Sequence, residues 1–156
     1  MKPSDRVGLL PKSSRGERKS MDQTLDQQRA AFSLDVVERV KRQIESEEKG
    51  DEYAGYVVKL AGDILINGLG QSLAQLQAAA KDKKKEDPHY WLYEHVQEWL
   101  CKRHPYSLYA GEEDLLHAIT KHDQRRYRWA LVETLAWLEW HRKIAVAELK
   151  KAEGDD

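Results

Sequence analysis

The 156-residue sequence contains one cysteine, Cys101, so no disulfide can close within the chain, and that usage fits a reducing cytoplasm. No apolar run approaches the ~18 residues that a membrane span needs. The first twenty residues, MKPSDRVGLLPKSSRGERKS, hold no apolar segment of a signal peptide. Membrane insertion and secretion are therefore disfavoured, and the expected location is cytoplasmic. An excess of one charge is also missing, since 26 Lys and Arg stand against 27 Asp and Glu for a formal net charge of −1. Indiscriminate coating of duplex DNA depends on a large cationic excess, so this balance argues against it. The sequence has no G-x-S-x-G elbow, no Walker phosphate loop and no G-x-G-x-x-G fingerprint, and one cysteine rules out a thiolate-rich zinc site. No stretch sustains the period-two alternation of a strand.

The charges that are present are placed unevenly. Residues 1–20 carry a net +4 and the remainder −5, so a basic segment is attached to a mildly acidic body. That segment has Pro3, Gly8, Pro11 and Gly16, with only Val7, Leu9 and Leu10 as sizeable apolar side chains, too few to offset the entropy of ordering it alone. Residues 1–21 are therefore expected to be a flexible basic tail and 22–156 a single helical domain. Nucleic acid or a partner protein could order the tail; an inert extension is the bland alternative.

From Asp22 onward the pattern is helical. Ala30, Leu34, Val37, Val40 and Ile44 share one helix face, which predicts a first helix from about Asp22 to Glu47 closed by Gly50. Tyr53, Tyr56, Val57, Leu60 and Ile64 mark a second helix that meets the Asn67-Gly68 break. Leu69, Leu73, Leu76 and Ala80 make the stripe of a third. Asn67, Gly68 and Gly70, within NGLG, form the structural turn between them; a phosphate-cradling role is the weaker reading because the string lacks the lysine. The KDKKKED connector, 81–87, ends with Asp87 as N-cap and Pro88 at the first position of a fourth helix reaching about Arg103. A loop over 104–111, a short helix from Glu112 to Thr120 and a long one from about Asp123 to Lys151 complete an all-α, compact bundle of five or six helices.

Six histidines raise the question of a metal. Glu86 with His89 and Asp114 with His117 have the Glu/Asp-x-x-His spacing, but Pro88 interrupts the first pair, the additional helix glutamates have no clear candidates, and His95, His104, His122 and His141 sit among polar neighbours, which favours surface or helix-end positions. No metal, cofactor or catalytic group is assigned. The remaining signal is basic. Lys121, His122, Arg125, Arg126 and Arg128 gather at the start of the last helix, with Arg142 and Lys143 further along it. A helix N-terminus beside guanidinium forks suits phosphate oxygens, and a solvated, ion-paired face is the competing reading. Trp129, Trp137 and Trp140, with Trp91 and Trp99, fit core packing or a protein interface better than base stacking. The three on the last helix span more of its circumference than one stripe needs, which implies a second buried face and a partner.

Three segments together resemble one family: TLDQQRAAFSLDVVERV (24–40), YAGYVVKLAGDILINGLGQSLAQL (53–76) and YRWALVETLAWLEWHRKIAVAEL (127–149). INGLGQSLA and ETLAWLEWHRKIAVAE are the specific strings. The family is the small helical subunit of the type III-B CRISPR RNA-silencing (Cmr) effector complex, in antiviral defence. The resemblance implies a non-catalytic subunit, present in several copies that stack beside repeated backbone subunits and line the groove holding target RNA paired to guide RNA. Cleavage would belong to the backbone subunits and further chemistry to the large subunit. Expected partners are thus guide and target RNA, the large and repeated backbone subunits and other copies of the chain, with no membrane. The RNA-contact candidates are Arg125, Arg126, Arg128, Arg142 and Lys143, with Lys41 and Arg42 second; for Arg29 a buried ion pair or capping contact competes with RNA contact. The alternative function is a helical protein-interaction module without nucleic-acid contact. A small hydrolase or metalloenzyme is more remote.

Overall fold

The computed structural model describes residues 22–152. The expected basic tail, 1–21, lies outside the described residues. Within them the chain forms six α-helices and one π-helical turn: α1 Leu25–Gln43, α2 Glu47–Asn67, α3 Leu69–Ala80, α4 Pro88–Glu98, the π turn Trp99–Arg103, α5 Leu115–Lys121 and α6 Gln124–Leu149. No strand occurs among the described residues, and the fold is all-α.

Local sequence accounts for most of the boundaries. Thr24 and Gln27 form a reciprocal capping box on α1: the Gln27 amide donates to Thr24 Oγ1 at 3.0 Å and the Thr24 amide to Gln27 Oε1 at 2.8 Å. Asp87 caps α4, whose first residue is Pro88. The first helix does not continue to Glu47, as the apolar pattern suggests. It stops at Gln43, Ile44 becomes extended, and Ser46 starts α2 by accepting the Lys49 amide, with Glu47 and Glu48 at the positive end of the new dipole. Gly50 is therefore not a terminator. It is buried in the first turn of α2, where a Cβ would lie 3.2 Å from Ile44 Cδ1 and 3.6 Å from the Leu149 carbonyl. The expected fourth helix changes its path at Trp99, where the His104 amide reaches back five residues to the Trp99 carbonyl at 2.8 Å. The short α5 begins at Leu115 rather than Glu112, because Asp114 is still extended at the N-cap position.

Helix α6 packs on both α1 and α2, while α4 packs on α2 and α3. Contacts of Gly50 with Leu149 and of Gly68 and Gly70 with Tyr127 set α2 antiparallel to α6. The core joins Phe32, Val36, Tyr53, Val57, Leu60, Leu73, Leu92, Trp99, Trp137 and Leu138, with Phe32 5.4 Å from both the Trp99 and Trp137 rings. One expected stripe is rotated. On α1 Leu34 faces outward at 53% exposure while Phe32, Ser33 and Val36 are buried. On α6 the buried face is Ala130, Glu133, Thr134, Trp137, Leu138, His141, Ala145 and Leu149.

The histidines also correct the expectation of surface placement. His95, His104 and His141 are buried. Ser33 Oγ lies 2.7 Å from His141 Nδ1, Tyr53 OH lies 2.8 Å from His141 Nε2, and the same hydroxyl lies 2.7 Å from His95 Nδ1. This chain links α1, α6, α2 and α4 through polar groups that satisfy one another, as buried polar groups must. Burial, with Arg39 nearby, pushes the His95 imidazole down to about 3, and burial, with His95 beside it, drives His141 well below its ordinary value. Both rings are therefore neutral near pH 7.

Candidate nucleic-acid interface

The arginine cluster is carried by the first turns of α6, which several contacts hold in place. Asp123 caps the helix by accepting the Arg126 amide at 2.8 Å. Tyr127 points inward, and its hydroxyl accepts the Gly70 amide at 3.2 Å, tying α6 to the start of α3. Gly68, with φ of 89° and ψ of 163°, supplies the turn that permits this approach. Asn67 stays helical at the end of α2, so Gly68 alone carries the positive φ of the NGLG turn. Glu112 accepts from Lys121 and lies 3.0 Å from His122 Nε2, while His122 Nδ1 lies 3.3 Å from an Arg126 guanidinium nitrogen. The tautomer that satisfies both partners carries its proton on Nε2, leaving Nδ1 to accept from Arg126.

Arg125, Arg126 and Arg128 are exposed and, with Asp123, Trp129 and Val132, line a shallow cavity of about 700 Å³. Trp129 and Val132 are 58% and 60% exposed. The N-terminal amides of α6 are a poorer anion site than expected, because the Asp123 carboxylate already occupies one and adds negative charge there. What remains for an anion is the guanidinium groups themselves.

The other candidates are not brought to this place. Lys143 shares the face of α6 that carries Arg125, but eighteen residues of helix put them roughly 27 Å apart. Arg142 and Lys143 both pair with Glu139, at 3.2 and 3.6 Å. Lys41 pairs with Glu148 and Glu38 near the far end of α6, and Arg42 beside it is exposed, with no ion pair among the described residues. Arg29 is structural: its Nε and a terminal nitrogen donate to the two carboxylate oxygens of buried Glu133 at 2.7 and 2.9 Å. Burial raises the Glu133 carboxyl, but Arg29 and then His104 outweigh it and hold the group at about 2.

Among the described residues, Arg29, Arg39, Arg103 and Arg142 are ion-paired with carboxylates, whereas Arg42, Arg125, Arg126 and Arg128 are not. Three of these four, each without a carboxylate partner, lie within one turn of α6. A family model described as CRISPR-associated protein (Cas_Cmr5) matches residues 25–148. The chain belongs to this family. As a Cas_Cmr5 protein it is the small subunit of the type III-B Cmr complex. The matched residues span α1 almost to the end of α6, so they include the arginine cluster, the Tyr127 anchor and the Gly68 turn.

No group of three or more His, Cys, Asp or Glu side chains converges as a metal site among the described residues, and none of their helices is long and apolar enough to cross a membrane. Ser33 and His141 have the spacing of a nucleophile and base, but both are fully buried and serve the core hydrogen-bond chain. Sequence reasoning missed that chain. Its members read as isolated polar positions, although His141 falls on the same α6 face as Trp137, Leu138 and Ala145.

Proposed function

We propose that this chain is a non-catalytic cytoplasmic subunit that stacks in several copies along the guide–target duplex of the effector complex and holds the target strand by its backbone. The observation that carries the RNA contact is the set of arginines without a carboxylate partner, Arg125, Arg126 and Arg128, in a chain whose other arginines are mostly neutralised among the described residues. Guide pairing reads sequence in such a complex, so the protein needs charge and shape rather than base-edge recognition. Lys143 extends the same α6 face. Arg142, Lys41 and Arg42 contribute less, because Arg142 and Lys41 already have carboxylate partners and Arg42 sits at the opposite end of α6.

Contacts with the large subunit, the backbone subunits and neighbouring copies require apolar surface as well. Leu65 and Ile66, 74% and 82% exposed near the end of α2, are the strongest candidates for a protein contact.

The test is target-RNA retention by complexes purified through a tagged chain, measured against salt. Arg126→Glu with Arg128→Glu should weaken retention for all target sequences and make the salt dependence shallower by about 1 to 2 in log–log slope. An unchanged slope and unchanged retention would remove these arginines from RNA contact. Co-purification of protein partners with no RNA at all would favour the interaction-module reading.

A further inference from the structure

We propose that Trp129 is a stacking platform for an unpaired ribonucleotide, with Arg125 and Arg128 holding the adjacent phosphates. This rests on the RNA-holding reading above and adds a base contact to what is otherwise a purely electrostatic one.

The five tryptophans separate clearly. Trp91, Trp99 and Trp137 are buried, and Trp140, at 36% exposure, donates its indole N–H to Asp26 at 2.8 Å. Trp129 is 58% exposed, and its indole N–H has no partner among the described residues. Core packing therefore does not account for it. Its surroundings are those of a single-strand site. Arg125 precedes it by one helical turn, Arg128 is its chain neighbour, and Val132 continues the same face, all around the 700 Å³ cavity. Helical side chains lean toward the N-terminus, which tilts the indole toward the arginine turn. Asp123, the carboxylate that lines this cavity, caps α6 by accepting the Arg126 amide.

Alternating guanidinium groups and an open aromatic face form the combination that binds single strands, because every nucleotide supplies both a phosphate and a π-face. A protein partner covering Trp129 would have to bring carboxylates to three arginines within one turn. A nucleic-acid strand has that charge at every step.

The experiment uses the full chain and two fluorescein-labelled RNAs of equal length, an oligouridylate and the same backbone with its central nucleotides abasic, read by anisotropy at low salt. Trp129→Leu should weaken the oligouridylate about 10-fold, leave the abasic strand unchanged and keep the salt slope. Equal losses on both strands, or no loss, would overturn the stacking assignment. Arg125→Gln with Arg128→Gln should instead weaken both strands and lower the salt slope by about 1.4. If the arginine pair behaves so while Trp129→Leu does nothing, charge-based holding stands and stacking fails. If the wild-type chain binds neither strand, the stacking assignment fails, and charge-based holding is decided separately by retention in the assembled complex. Should Trp129→Leu strip a companion protein from the tagged chain with RNA binding intact, the face is a protein contact and the proposal is wrong.

Discussion

Lowering the pH from 7 to 5 should destabilise this protein through its buried histidines. His95 has a folded-state value of about 3 against an ordinary 6.5, so between these values the unfolded chain binds a proton that the native chain excludes. Stability therefore rises with pH across that window and falls as pH is lowered through 6.5. Integrating the difference gives a loss of about 2 kcal/mol from His95 between pH 7 and 5. His141, fully buried and shifted the same way, adds to the loss with the same sign. Against a typical total of roughly 5–15 kcal/mol this is a large fraction. Carboxylates act in a lower window. Glu133, held at about 2, contributes stability that is present above pH 4.5 and disappears as pH falls through its folded value. Urea titrations at pH 7, 6 and 5, followed by circular dichroism at 222 nm, measure the effect. His95→Gln keeps a hydrogen-bonding side chain without the titration, so it should lower stability at pH 7 yet reduce the pH dependence. Stability that stays flat from pH 7 to 5 would refute the assignment of neutral, sealed imidazoles.

Other perturbations have equally direct readouts. Gly62 lies mid-helix in α2, and a methyl group added at its Cα would meet nothing within 4 Å, so Gly62→Ala should raise stability by about 0.5–1 kcal/mol in thermal melts. Gly68→Ala should lower it by roughly 1–3 kcal/mol, because φ of 89° with ψ of 163° is a glycine conformation. Glu133→Gln should cost about 2 kcal/mol in denaturant titrations by leaving the half-buried Arg29 with only the exposed Asp26 as a carboxylate partner, and Arg29→Met with Glu133→Leu should recover most of that loss. The Cys101 thiol is buried and pushed up to about 11, so labelling by a thiol reagent at pH 8 should be slow in the native protein and fast in denaturant.

Elements whose apolar residues keep a regular spacing can be read from the sequence directly. Leu69, Leu73, Leu76 and Ala80 are all buried on α3, as are Tyr53, Val57, Leu60 and Ile64 on α2. The α1 stripe is shifted because Ser33, a polar residue, occupies the buried face through its bond to His141, while Leu34 is left outside. The α1–α2 break is hidden by continuous helix-forming residues; Ser46 followed by Glu47 and Glu48 is the available signal, and Gly50 draws the boundary too late. The arginine cluster can be found because Arg125, Arg126 and Arg128 are nearly contiguous. The exposure of Trp129 cannot, since a tryptophan among helical apolar residues suits a core equally well. Residues 33, 53, 95 and 141 meet only through tertiary packing, so no local pattern reveals their hydrogen-bond chain.

The placement of the arginines runs against the local electrostatics of a helix. Arg125 and Arg126 are the second and third residues of α6, at the positive end of its dipole, where an acidic residue is favoured by about 0.3–1 kcal/mol and a cation is disfavoured to a similar extent. Arg125 and Arg128, three apart, add a like-charge repulsion of about 0.2–0.5 kcal/mol. The Asp123 cap and the Tyr127 anchor offset this without removing it. A local rule broken on the surface, with no compensating contact for Arg125 or Arg128 among the described residues, supports the proposed RNA contact. The consequence is a trade-off. Arg125→Glu should make the isolated chain more stable, by about 1 kcal/mol at low salt, because it replaces an unfavourable charge with a favourable one. On the proposed RNA contact, the same substitution should weaken target-RNA retention in the assembled complex, because a carboxylate repels a phosphate that a guanidinium attracts. Thermal melts of the purified chain and salt-dependent retention by the complex measure the two effects separately. A variant that loses stability would show that Arg125 makes a structural contact, and one that gains stability with retention unchanged would place the RNA elsewhere.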